Sequence, residues 1–89
     1  MSGAEGREAR LKRMRMRAWR RGIREMDLIL GPHADRHLGT KDEAALALFE
    51  AVLGEADHDL YAWVTGREAA PARYAPLLDQ LAAESRIAR

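Results

Sequence analysis

His33 and His37 lie four residues apart, the spacing at which two imidazoles on one helix face hold a metal ion. The three residues between them, Ala34-Asp35-Arg36, lack the Glu of an H-E-x-x-H site, and Pro32 is expected to disturb the helix beside them. No metal site is therefore expected, and His58, the third histidine, stands apart beside an expected helix cap. Asp57 and Asp59 could act as an acid/base pair, but carboxylates at a helix start are favoured by the helix dipole without any catalytic role. Ser2 and Ser85 fall in expected frayed ends, poor places for a nucleophile. There is no cysteine, so a thiolate nucleophile, a thiolate metal site and disulfides are excluded. The seven glycines are scattered and none forms a phosphate-cradling loop. No catalytic residue is expected, and the chain does not read as an enzyme.

Binding chemistry is better represented. Residues 1–24 hold nine Lys/Arg against two acids, a net of +7, and residues 25–89 hold six against twelve, a net of −6. The overall charge of +1 hides this division. Arg10, Arg13, Arg17, Arg20 and Arg24 step by three or four, which would place them on one side of a continuous helix. Such a stripe could neutralise phosphates, and a helical nucleic-acid-binding module is the alternative reading. The acidic remainder would repel a polyanion, and no recognition helix follows the basic segment. A basic helix beside an acidic domain suits a protein partner of mixed charge better, and nucleic acid is not the expected partner.

The charge boundary falls at Arg20-Arg21-Gly22-Ile23-Arg24-Glu25-Met26-Asp27. Gly22 suits either the end of one helix or the N-cap of the next. As an N-cap it would place Glu25 at the third helical position, facing unpaired N–H groups. Arg21 offers a planar donor fork, Gly22 allows close backbone approach, and Glu25 adds an acceptor about one turn on. Helix capping accounts for Glu25 in part and for Arg21 not at all.

The elements that must carry these residues are helices. Ala, Leu and Arg dominate while β-branched residues are scarce, so the expected fold class is all-α. Residues 1–6 are expected to be a disordered start and residues 7–89 a single helical domain. A first helix, Arg7–Arg21, carries Leu11, Met14 and Ala18; a second shows Ile23, Met26 and Leu30 and should break or kink at Gly31-Pro32, since an interior proline costs about 3 kcal/mol. Thr40-Lys41-Asp42-Glu43 has the form of a capping box opening a third helix with Leu46, Phe49, Val52 and Leu53, which stops at Gly54. A shorter helix starts at Ala56 or Asp57, carries Leu60, Tyr61, Trp63 and Val64, and ends at Gly66. The last begins near Pro76, with one turn at Pro71–Tyr74 before it, and buries Leu77, Leu78 and Leu81. The tail Glu84–Arg89 is expected to fray. Phe49, Leu53, Tyr61 and Trp63 are expected mainly in the core. The sum is a small five-helix bundle.

With 89 residues there is room for one modest core. No apolar run approaches a membrane span, and no signal-peptide core is present, so no membrane insertion is expected. The Arg-rich start is interrupted by Glu5 and Glu8 and has Ser2 as its only serine, unlike a transit peptide. A bacterial, cytoplasmic setting is the expectation.

Arg21-Gly22-Ile23-Arg24-Glu25 resembles the R-G-x-x-E signature of the succinate dehydrogenase flavinylation factors, small assembly proteins of bacteria and mitochondria. Trp19 with its basic neighbours upstream and Glu25-Met26-Asp27-Leu28 downstream fit the same pattern, and Pro32 falls where the family often has a proline. A second block, Phe49-Glu50, Leu53, Asp57, Asp59-Leu60-Tyr61, Trp63 and Gly66, is similar to the family's F-E-x-L-L and D-x-D-L-aromatic-x-W segments. The likeness runs from about Leu11 to Leu81; His33 departs from the aromatic common after that proline. The resemblance implies a five-helix bundle that binds the flavoprotein subunit of succinate dehydrogenase, and in some bacteria that of fumarate reductase. It further implies that the factor promotes covalent attachment of FAD to a histidine of that subunit. FAD then acts in the partner, and no firmly bound cofactor is expected here. Arg21, Gly22 and Glu25 match the signature and are the implied partner-contact residues, with Arg24 and Asp27 as adjacent candidates.

Overall fold

The computed structural model describes residues 6–89. The expected disordered start falls on residues 1–5, outside the described residues, apart from Gly6, which is the N-cap of the first helix. Five α-helices follow: α1 Arg7–Trp19, α2 Arg24–His37, α3 Glu43–Leu53, α4 Asp57–Val64 and α5 Ala75–Glu84, with a 3-10 helix, Leu38–Thr40, between α2 and α3. No strand occurs among the described residues. The all-α, five-helix expectation is met.

α1 buries Met14 and Ala18 with Leu11 against their margin, the narrow stripe expected from a helix otherwise crowded with arginine. α2 contributes Met26, Ile29, Leu30 and Ala34, α3 Leu46, Phe49, Val52 and Leu53, α4 Leu60 and Val64, and α5 Leu77, Leu78, Leu81 and Ala82. Each such side chain stabilises the bundle by about 1–3 kcal/mol when fully buried. Tyr61 and Trp63 are half-buried at the edge of this cluster, and Tyr74 is buried within it. Of the basic residues on α1, Arg10 reaches α3, donating to both Glu43 (2.7 Å) and Glu50 (3.0 Å).

Three expectations need correction. The second helix does not break at Pro32 but runs continuously from Arg24 to His37. Gly31 explains how: the residue before proline is normally kept from helical angles partly by its own Cβ, and glycine has none. The place of that Cβ is taken by the indole of Trp19, which packs directly on Gly31. Leu28, whose carbonyl would have received the missing Pro32 N–H, lies on an exposed part of the helix. Second, Asp42, not Thr40, caps α3: its Oδ1 accepts from the Ala45 N–H at 2.8 Å, while Thr40 Oγ1 donates back to the His37 carbonyl at 3.1 Å. The 3-10 helix ends at Thr40, so the next available side chain takes the cap. Third, the C-terminal tail is tied down rather than frayed. Ile87 N–H reaches Ala82 O at 2.9 Å, and the Arg89 guanidinium donates to Val64 O (2.9 Å) and Trp63 O (3.2 Å) at the end of α4.

The α4 terminus follows expectation. Gly66 adopts a φ of +79°, and the Gly66 and Arg67 N–H groups turn back to Trp63 O and Ala62 O, the paired bonds of a Schellman close. The single turn at Pro71–Tyr74 is likewise present, with Tyr74 N–H donating to Pro71 O at 2.9 Å.

Candidate functional site

The α1–α2 turn is built around Arg21. Trp19 ends α1, Arg20 follows with φ −125° and ψ 57°, and Ile23 is the N-cap of α2. The expected arginine stripe is therefore interrupted: Arg20 and Arg24 lie on neither the same helix nor a continuation of it. Gly22 is neither helix end nor N-cap, and Glu25 occupies the second position of α2, not the third.

Arg21 is only 10% exposed and its whole donor fork is engaged within the chain. Nε donates to Asp57 Oδ1 at 2.7 Å, Nη1 to the Leu53 carbonyl at 2.5 Å and Nη2 to the Glu55 carbonyl at 2.7 Å. Leu53 closes α3 and Asp57 opens α4, so one guanidinium answers unpaired carbonyls at one helix end and a carboxylate at the next helix start. The Arg21 backbone N–H donates to Asp27 Oδ1 at 2.6 Å, bracing the turn from α2. The second oxygen of Asp57 accepts from the Gly22 N–H at 2.6 Å. A Cβ on Gly22 would stand 2.8 Å from that oxygen. Gly22 does not have a positive φ; glycine is needed here for close approach, not for backbone freedom.

Thus Arg21 and Asp27 are drawn inward, while Gly22, Ile23, Arg24 and Glu25 are exposed. Neither Arg24 nor Glu25 has a side-chain partner among the described residues. Arg24 also opens α2, where the dipole disfavours a cation. Beside Glu25 a shallow groove of about 280 Å³ runs between α2, α4 and the C-terminal segment, lined by Leu28, Ile29, Tyr61, Ser85 and Ile87. Leu28 is 51% exposed in its lining, and Ile23, the N-cap of α2, is 37% exposed. The arrangement offers an exposed carboxylate, Glu25, at an apolar groove and an exposed guanidinium, Arg24, one residue before it, next to a turn braced from behind. Asp57 is the residue that reading the turn alone misses. Its place in the second sequence block was the available signal, but nothing in the spacing joined it to Arg21.

A second polar cluster lies farther along α2. His33 Nδ1 and Glu84 Oε1 are 2.8 Å apart, as are His37 Nε2 and Glu84 Oε2, and Gln80 Nε2 donates to Glu84 Oε2 at 2.9 Å. Burial alone would raise the Glu84 carboxyl, but hydrogen bonds from His33, Gln80 and His37 outweigh it and hold the group down at about 2. His33 is buried, which lowers its own pKa, the bond to Glu84 opposing only in part. Glu84 falls at the start of the tail expected to fray, and the sequence spacing of the two histidines does not show it as their third partner.

Fold and site together define a small helical bundle whose α1–α2 turn is braced from behind by Asp27 and Asp57. The sequence profile described as the flavinator of succinate dehydrogenase matches residues 12–85, and the chain belongs to that family. It is 33% identical over 82 residues to the FAD assembly factor SdhE of Acetobacter pasteurianus, covering 91% of this chain and 75% of that protein. It is 33% identical over 67 residues to the protein of the same name from Francisella tularensis, covering 75% and 70%. With the mitochondrial succinate dehydrogenase assembly factor 2 of Mycosarcoma maydis it shares 36% identity over 72 residues, covering 81% of this chain but 30% of the fungal protein. The chain thus spans less than a third of that relative and about three quarters of the bacterial ones. No helix among the described residues is long and apolar enough to cross a membrane.

Proposed function

We propose that this chain is a maturation factor that docks on the flavoprotein subunit of succinate dehydrogenase and promotes covalent attachment of FAD to it. In this reading the FAD and the histidine it modifies belong to the partner, and the chain supplies binding rather than catalysis. Family membership supports the client, and a bacterial, cytoplasmic setting is the one we favour, with bacterial as well as mitochondrial relatives among the matches. The observation that carries the reading is the division of labour within the signature. Arg21, with Asp27 and Asp57 as its braces, is committed inside the fold, while Gly22, Arg24 and Glu25 are exposed, Glu25 at the apolar groove.

A rigid presenting turn has a direct benefit for association. Groups held in their bound geometry lose little conformational freedom on docking, so more of the contact energy appears as affinity. Arg24 and Glu25 can pair with opposite charges on the client while Leu28 and Ile23 bury apolar area around them. Binding of this kind promotes the client's own flavin chemistry by favouring whichever client conformation it fits, in proportion to its differential affinity. Fumarate reductase, whose flavoprotein subunit is the second client implied by the sequence resemblance, would be served through the same face.

Co-expression with an apo flavoprotein subunit, followed by denaturing gel separation and flavin fluorescence, tests the proposal. The expected result is a protein-bound flavin band that strengthens when the chain is present. Equal flavin with and without it would overturn the reading.

A further inference from the structure

We propose that His33, His37 and Glu84 form a binding site for a divalent transition-metal ion of the Zn2+ class, bridging α2 to α5. The two histidines share one face of α2 because the helix runs unbroken through Pro32. Glu84, at the end of α5, faces both imidazoles. One ligand atom from each residue lies within 4.8 Å of the other two. Tetrahedral zinc with bonds of about 2.1 Å sets its ligand atoms about 3.4 Å apart. The 2.8 Å contacts to Glu84 must open and the longer separation between the imidazoles must close, each through side-chain rotation.

The donor set fits this chemistry. Two imidazole nitrogens and a carboxylate suit Zn2+ and its neighbours better than Mg2+ or Ca2+, which prefer oxygen. Glu84 supplies the anionic ligand, a carboxylate being ionised at neutral pH. His33 Nε2 is buried without a partner, so this ring can act only through Nδ1, the atom that faces Glu84. Metal takes the Nδ1 lone pair of the neutral ring, which requires the tautomer with its proton on Nε2; the proton now shared with Glu84 is lost from Nδ1 to solvent as Nε2 takes one up. Phe49 stacks on the His33 ring at 5.4 Å and Gln80 holds Glu84, the outer partners that fix ligand orientation. Lys41 is the opposing charge nearby. Entry is from the side of His37, whose side chain is 31% exposed, leaving a position open to water. Because α2 also begins with Arg24 and Glu25, a metal here would stiffen the helix that carries the docking residues.

The test is titration of the chelator-stripped full chain with Zn2+, read by calorimetry and by thermal unfolding, with Co2+ as the spectroscopic probe. Expected are a stoichiometry of one, ligand-field bands of a low-coordinate cobalt site, and a Tm raised by about 10 °C or more with Zn2+ a hundredfold above Kd. His37→Ala should weaken binding at least about tenfold, as should Glu84→Gln, the range typical of losing a ligand or its close support. His58→Ala should leave it unchanged, since His58 is exposed beside Asp59 and represents adventitious surface binding. Affinity should fall as pH drops below the usual histidine range near 6.5. If Glu84→Gln fails to fold, the partly exposed His37→Ala still decides. No Tm shift in the parent chain, or an equal shift in His37→Ala, would overturn the site.

Discussion

Arg21 and Asp57, thirty-six residues apart, meet at 2.7 Å, and Asp57's other oxygen is held by the neighbouring Gly22 N–H. The α1–α2 turn and the α3–α4 turn are thereby locked into one polar unit beneath the proposed docking face. Breaking a largely buried pair by removing one partner strands the other and costs about 3–5 kcal/mol. Arg21→Ala and Asp57→Ala should each destabilise the fold by an amount of that order in urea unfolding, and the double variant by clearly less than the sum. Arg21→Lys should recover little, because an ammonium cannot reproduce a planar fork across Leu53 O, Glu55 O and Asp57.

Gly22→Ala forces a methyl against Asp57 Oδ2. It should cost about 1–3 kcal/mol, the usual penalty for overpacking. In an Asp57→Ala background the oxygen is gone and most of that penalty should vanish, which chemical unfolding of the four chains of the cycle would measure.

Gly31→Ala places a Cβ within the Trp19 indole and restores the clash with Pro32. Loss of about 2 kcal/mol or more is expected. Trp19 fluorescence should shift as the indole is pushed off α2 and its Nε1 bond to Asp35 (3.2 Å) is lost.

Stability should fall in two stages on acidification. Glu84 is held at about 2 in the fold against its ordinary 4.5, so its contribution is full above 4.5 and is lost between there and about 2. His33 is lowered below its ordinary 6.5 by burial. The unfolded chain therefore takes up that proton first, and stability falls from about 6.5 down to the folded value. Urea midpoints measured from pH 8 to 3 should show both declines, and Glu84→Gln should remove the lower one.

Much of the architecture was legible in the sequence because it rests on local signals. Leu46, Phe49, Val52 and Leu53 at core spacing and Gly66 closing α4 need no distant information. What was not legible is tertiary. Pro32 breaks a helix by local rules, but α2 continues through it because Gly31 has no Cβ, and the Trp19 indole from α1 packs in that space. Asp42 supplants Thr40 because a 3-10 helix intervenes. Arg21 and Glu84 each take partners more than thirty residues away, a pairing that no periodicity encodes. The signature was visible; that its arginine points inward was not.

The most direct test of the docking face separates presentation from contact. Arg24→Ala and Glu25→Ala change exposed side chains without partners among the described residues, so each should leave stability within about 0.5 kcal/mol of the parent. Covalent flavin on the co-expressed flavoprotein subunit, measured in chains first shown to match the parent in Tm, is the decisive quantity. If Glu25 contacts the client, Glu25→Ala, folded as well as its parent, loses most of the flavin signal. Undiminished covalent flavin with Glu25→Ala would contradict that contact.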